Sequence, residues 1–370
     1  MQRTGRAGRE GPGFCFRLYT EESFNNMPVS PEPEIMRVSL TSSILKLKCL
    51  DQDLEDLDLM DKPDQDSSTF SFSFRSNAAD VLLPVISALK TLWLLSALDN
   101  SKRLTGMGRQ MALFPLEPTH ARSILASHEY GCAPQVLSII SILSASSKLF
   151  VDVSGQRENA AEARKAFVNI RGDHLTVLNV VRAYEDVCRG QEQEGPGKEE
   201  DFTGDNGYVK KKGKGKGKAE RKEWCRKYWV NERTLIEARE IRKQLQGVCE
   251  RLGWTENLRD IGGSGEKDEE NILLSMGSGL VQNSAFLQPD GTYKQTMGRS
   301  IVKIHPGSVL MEKKVPAIVY DELVSVKKSR SVQVLRLGLQ IYTNQIYARG
   351  VSAIPRSFFA TYSALNQRKA

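Results

Sequence analysis

The sequence predicts a multidomain α+β protein in which a helical bundle is followed by a small β-barrel. Three observations carry this. From about residue 78 to 190, apolar residues recur at helical spacing between short loops. Beyond residue 270, short apolar runs alternate with Gly and Pro turns. The chain has 370 residues, and at roughly 100–200 residues per domain that length holds two or three domains.

The composition fits folded domains. Hydrophobic residues make up 40% and charged residues 26%, with a mean hydropathy of −0.39, enough apolar material for real cores. A net charge of +7 and a pI near 9.0 mildly favour a polyanionic partner, although the distribution of charge says more than its total. The six cysteines (Cys15, Cys49, Cys132, Cys188, Cys225 and Cys249) are widely spaced with no CxxC pair. They read as buried free thiols in a reducing compartment. Four histidines without clustered ligands argue against zinc and leave no metal site. The N-terminus is polar, without a secretory pattern. The most apolar stretch, Val81 to Leu95, contains Pro84 and Lys90. It falls short of the roughly 20 residues that span a bilayer and reads as a buried helix, so no membrane role is expected.

The elements follow in order. Gly13 to Tyr19 reads as a strand, dominated by aromatic and β-prone residues after a Gly11-Pro12-Gly13 turn. It needs a sheet that the chain barely supplies. Pro28, Pro31 and Pro33 mark an extended connector. Ile35 to Leu50 has helical spacing. Residues 67–77 alternate Ser and Phe, a period-two pattern. Helices are expected over Val81–Asp99, from a Thr105 cap through Gln110, and over Ala121–Glu129, Gln135–Ser144, Asn159–Asn169 and Leu175–Cys188. Residues 190–222, rich in Gly, Glu and Lys, read as a linker that cannot bury enough to order itself. The helical pattern returns from Trp224 to Val248. After a Gly-rich acidic break at 260–270, strands are expected at Thr292–Tyr293, Ser300–His305, Ala317–Val326 and Val332–Leu337.

The sharpest chemical signal is Gln2-Arg3-Thr4-Gly5-Arg6-Ala7-Gly8-Arg9. Its glycines let the backbone approach a polyanion, and guanidinium donors suit phosphate oxygens. Composition alone leaves two readings, a phosphate or RNA contact and an RG-type tail.

This octet resembles the sixth motif of superfamily 2 helicases of the DEAH-box type. Pro33-Glu34-Ile35 with Arg37 resembles that family's exit from its second RecA-like domain. Leu40 to Lys48 resembles the opening of its winged helix. Leu92 to Asp99, Leu104-Thr105, Gly108-Arg109, Phe114 to Pro118 and Gly131-Cys132 resemble its helicase-associated bundle. Gly172 to Thr176, Trp224-Cys225 and Ala238 to Leu245 continue it. Asn283-Ser284-Ala285, Tyr293, Ile304-His305-Pro306 and Val319 to Val324 resemble its OB-fold.

The resemblance implies four parts: a RecA-like α/β remnant at 1–34, a winged helix at 35–95, a helical bundle at 96–258 with a basic loop at 190–222, and an OB-like barrel at 271–360. Residues 67–77 and 325–341 read as inserts, and the chain reads as the C-terminal portion of a longer polypeptide. The family implies ATP-driven, 3′-to-5′ movement along single-stranded RNA. Gln2, Arg6 and Arg9 would approach the nucleotide, with Arg6 and Arg9 as arginine fingers. Arg37, Lys46, Lys48, Arg109, Tyr293 and His305 are the candidate RNA contacts. ATP and Mg²⁺ are the implied cofactors of the complete protein. The implied partners are single-stranded RNA, the N-terminal RecA-like lobes and a helicase-activating protein.

These 370 residues contain no G-x-x-x-x-G-K-[ST] and no Asp-Glu-x-His. Phosphoryl transfer needs those parts as well as arginines, so the chain alone is expected to be inactive as an ATPase. A non-catalytic RNA-binding or adaptor module is the competing reading. Lys210 to Lys222 holds eight Lys/Arg in thirteen positions and reads as a solvated loop, an auxiliary RNA contact or a nuclear-targeting patch. Family roles and this run favour a nuclear location. Asp173-His174 reads as a loop or helix-cap constellation before acid–base chemistry. His305-Pro306 reads as a turn or an RNA-facing rim. Trp93, Trp224 and Trp229 read as packing residues, and Tyr293 as the better base-stacking candidate.

Overall fold

The computed structural model describes residues 4–8, 10–28, 38–54, 57, 78–151, 153, 155–193, 214–255, 257–258, 260–262, 265–297, 300–331 and 340–360. The helices are α1 (Glu21–Asn25), α2 (Thr41–Cys49), α3 (Ala78–Leu94), α4 (Gly106–Ala112), α5 (Pro118–Glu129), α6 (Ala133–Leu143), α7 (Arg157–Arg164), α8 (Asp173–Gln193), α9 (Lys214–Lys227), α10 (Glu232–Arg251) and α11 (Glu266–Gly279). The strands are β1 (Ser284–Leu287), β2 (Tyr293–Gln295), β3 (Ile301–Ile304), β4 (Ala317–Val319), β5 (Glu322–Ser331), β6 (Gln340–Arg349) and β7 (Ser352–Ala353).

Sequence signals explain where four of the helices start. Thr105 caps α4, accepting a hydrogen bond from the Gly108 amide at 3.0 Å. Pro118 and Pro134 sit in the first turns of α5 and α6, where the missing N–H costs nothing. Asn231 caps α10 through the Arg233 amide. Helix α6 is buried from Ala133 to Ile142 except at Gln135, as expected of a helix apolar all round its circumference.

One core joins α2, α3, α4, α5, α6 and the inner faces of α8, α10 and α11. It reaches the β-unit through Ala317, Val319, Ile354 and Phe358. A second core, around Val180, Tyr184, Cys188, Cys225, Val230 and Leu235, closes the far end of the bundle. A third fills the β-unit with Ala285, Tyr293, Val302, Ile318, Tyr320 and Ala348. The strands form one seven-stranded sheet in the order β5-β6-β3-β2-β1-β4-β7. Every pairing is antiparallel except β3 with β6.

Several expectations are corrected. Residues 13–19 form no strand. Phe14, Phe16 and Leu18 are 86%, 88% and 101% exposed, and among the described residues no neighbouring strand offers their backbone groups a ladder. Residues 271–279 are not the start of the β-unit but the last nine residues of α11. Glu266, Asp268 and Glu269 favour its N-terminus, and Ile272, Leu273 and Met276 bury one face. Residues 214–222, assigned to a linker, begin α9. The expected insert at 325–341 contributes described residues to a long β5–β6 hairpin paired from Glu322↔Arg349 to Ser331↔Gln340. Four cysteines are buried as expected, but Cys15 and Cys49 are exposed. The Ser/Phe segment at 67–77 and the expected strand at Val332–Leu337 lie outside the described residues.

Candidate nucleic-acid interface

Lys46 and Lys48 lie on α2 and Arg109 on α4, two helices that pack together. A Cβ at Gly108 would lie 2.3 Å from the Ala97 carbonyl oxygen, so only glycine lets α4 seat against the turn after α3. Lys46 and Arg109 are exposed. The Arg109 charge reaches Cys49 at the end of α2, where burial raises the thiol pKa and Arg109 opposes the rise. Lys48 is less available, because it pairs with Asp53 and its side chain is 15% exposed. Ser42 donates to Glu117 at 3.0 Å, tying α2 to the start of α5.

The nucleotide-facing candidates are not assembled into a pocket among the described residues. Arg6 ends a single 3-10 turn, Thr4–Arg6, and is exposed. Gln2, Arg9 and Arg37 lie outside the described residues.

In the β-unit, Tyr293 is a correction. It is 3% exposed. Its hydroxyl donates to the Val315 carbonyl and accepts from the Val315 amide, both at 3.1 Å. Its ring therefore fills the sheet core and presents no face for a base. Burial raises its phenol pKa. His305 is half-buried at a turn. Its Nδ1 accepts from the Gly307 amide at 3.0 Å, and its ring meets Tyr347 edge-on at 6.1 Å. Trp224 packs against Phe167, Tyr184 and Tyr228. Trp93 donates to Asn100 at 2.8 Å.

Asp173 and His174 form the joint between the bundle and the β-unit. The Asp173 carboxylate accepts from the Val309 amide at 2.9 Å and the Val351 amide at 2.8 Å. Burial raises its pKa, opposed by those two amides. His174 is 1% exposed. Its Nε2 donates to the Asp321 carboxylate at 2.8 Å, and its Nδ1 lies 2.7 Å from the Ser352 hydroxyl. Burial pulls the His174 pKa down, but the adjacent Asp321 carboxylate outweighs it and the net shift is upward. Gly172 is required twice over: its φ is +147°, and a Cβ would stand 2.3 Å from the Ser352 hydroxyl. The pair is thus a buried fastening, which excludes it from solvent-facing acid–base work.

Sequence reasoning missed a cleft of about 630 Å³ between α8 and α10, lined by Glu185, Arg189, Arg239, Arg242, Lys243 and Gln246 among others. Its signal was present in the spacing. Residues 239, 242, 243 and 246 share one helical face, as do 185 and 189.

The protein families supply the context for these surfaces. Residues 88–116 match the helicase associated domain (HA2), winged-helix, and residues 117–177 match the helicase associated domain (HA2), ratchet-like. The border expected at residue 95 falls inside the first. The chain therefore carries contiguous winged-helix and ratchet-like parts of a helicase-associated domain.

The likeness extends further. The chain is 32% identical over 354 residues to the ATP-dependent RNA helicase DHX33 of Homo sapiens, covering 95% of this chain and 40% of that protein. It is 32% identical to the pre-mRNA-splicing factor ATP-dependent RNA helicase DEAH10 of Arabidopsis thaliana, over 89% of this chain and 40% of the relative. It is 33% identical to the pre-mRNA-splicing factor ATP-dependent RNA helicase prp22 of Schizosaccharomyces pombe, over 88% of this chain and 24% of the relative. The chain spans about 40% or less of these relatives' lengths. It belongs to the DEAH-box RNA helicase family and corresponds to its C-terminal portion.

Proposed function

We propose that this chain binds single-stranded RNA by its phosphate backbone and serves as the RNA-holding part of an ATP-dependent helicase. The observation that carries this reading is the likeness to ATP-dependent RNA helicases along 95% of the chain. Lys46 on α2 and Arg109 on α4 are exposed cations on packed helices, and guanidinium and ammonium groups engage phosphates without reading sequence. In this reading the seven-stranded unit is the family's OB-fold and residues 1–34 belong to a RecA-like domain. His305 sits on the rim of the RNA path.

In a longer polypeptide that supplies a P-loop and an acidic motif, ATP and Mg²⁺ would bind between RecA-like lobes. Gln2 would contact the nucleotide there. Arg6 and Arg9 would stabilise charge developing on the transferred phosphoryl group. Hydrolysis would drive 3′-to-5′ movement, while this chain by itself turns over no ATP. A nuclear location and a helicase-activating protein complete the proposal.

The test is fluorescence anisotropy with a labelled single-stranded RNA. Lys46→Gln/Arg109→Gln is expected to weaken binding about tenfold while leaving the melting temperature unchanged. An unaltered affinity in the double variant would remove the α2–α4 face from the RNA path.

A further inference from the structure

The far end of the bundle carries a second concentration of positive charge. Helix α8 starts at the β-unit with Asp173, and Glu185 and Arg189 lie about 18 and 24 Å further along its axis at 1.5 Å per residue. There the cleft between α8 and α10 opens. Two carboxylates line it: the half-buried Glu185, which serves two guanidinium groups, Arg239 at 3.5 Å and Arg242 at 3.9 Å, and the exposed Asp260. Arg242 is nine-tenths buried, at 9% exposure. One terminal nitrogen donates to the Leu258 carbonyl at 3.0 Å, but its Nε has no hydrogen-bond acceptor. An orphaned, desolvated N–H on a charged group is costly.

The rim is cationic too. Arg189 and Lys243 are half or more exposed, and their carboxylate neighbours, Asp186 at 3.9 Å and Glu240 at 3.0 Å, lie one turn away on their own helices. Such exposed pairs are worth little and exchange readily for phosphate. The basic helix α9 adjoins this end: Arg221 and Arg239 both act on the buried Cys188 thiol. Helix α9 carries seven Lys/Arg against two Glu in fourteen residues.

We propose that the α8–α10 cleft and helix α9 form a second RNA-backbone site, separate from the α2–α4 face. The proposal rests on the reading that the chain binds RNA. No apolar residue lines the cleft, whereas a protein partner would need buried apolar or aromatic anchors. A phosphodiester chain needs only spaced cations.

The test uses the whole chain and the exposed triple variant Arg189→Gln/Lys222→Gln/Lys243→Gln. Binding is measured to single-stranded RNAs of about 10 and about 40 nucleotides, the first near the size of one single-strand site. The wild type is expected to prefer the longer RNA. The triple variant, melting at the wild-type temperature, is expected to lose that preference. With the longer RNA, its slope of log K against log salt should fall by about 2, at roughly 0.7 per lost phosphate contact. An unchanged slope and preference would overturn the second site while leaving RNA binding intact. A wild type that binds neither RNA would overturn the RNA reading itself and the second site with it. If the substitutions weaken binding to polyglutamate but not to RNA, the surface belongs to an acidic protein and the proposal fails.

Discussion

Asp173 and His174 show what single residues do here. Adjacent in sequence, they reach partners more than a hundred positions away: His174 meets Asp321 across 147 positions and Ser352 across 178. The folded His174 pKa is raised above its ordinary value. Its ion pair with Asp321 therefore adds stability that is complete below the unfolded pKa of about 6.5 and is lost as pH rises through the elevated folded value. His120, Asp173 and Asp321 are the titratable groups around that ring. Thermal melts across this range are expected to show stability falling with rising pH in the wild type, and His174→Asn is expected to flatten that dependence. A wild-type profile parallel to the variant's would contradict the assignment. The sequence placed Asp173 correctly at a helix start, but nothing local could reveal Ser352 and Asp321, because the fold alone brings them together. Tyr293 failed for a related reason: alternation marks it as a strand residue without saying that its face is the inner one.

At the scale of elements, local chemistry decided what was legible. Thr105 announced α4 because its hydroxyl caps the Gly108 amide. That hydroxyl also donates to the Ser96 carbonyl at 2.7 Å and lies 3.1 Å from the Ala97 carbonyl. Thr105→Ala is expected to cost about 1 kcal/mol or somewhat more, as a lost cap, read as a lowered denaturant midpoint with an unchanged slope. No change in midpoint would mean that the cap contributes nothing. Helix α11 was obscured because its glycine-rich approach and acidic first turn look like a loop. Its apolar face at Ile272, Leu273 and Met276 falls where strands were expected. Helix α9 was obscured by alternating Lys and Gly, residues that favour solvent. The described part of it is held from its C-terminal half, where Trp224 and Cys225 enter the second core. Burial there pushes the Cys225 thiol up to about 12. The Gly13–Tyr19 segment is the converse case: strand-forming residues with no described strand to pair with.

At the scale of the whole molecule, three cores are joined by a few specific ties, and the positive charge is divided between their outer faces. Asp173 and His174 fasten α8 to the β-unit. Arg182, Arg242 and Gln246 hold the chain at 258–262 by its carbonyls. Ser123 donates to the Met276 carbonyl at 3.2 Å, seating α11 on α5. In the proposed reading, the α2–α4 cations and the α8–α10 cations engage different phosphates of one RNA. The succession of winged-helix and ratchet-like parts was legible in the sequence from the motifs between Leu92 and Thr176. The division of charge was not, since it depends on which helices lie side by side.

The most direct measurement is the equilibrium affinity of this chain for a single-stranded RNA as salt is raised from about 50 to 200 mM. Log K is expected to fall linearly with log salt, by about 0.7 for each phosphate engaged, with little dependence on base sequence. Affinity that ignores salt, or no binding at the lowest salt, would contradict the account.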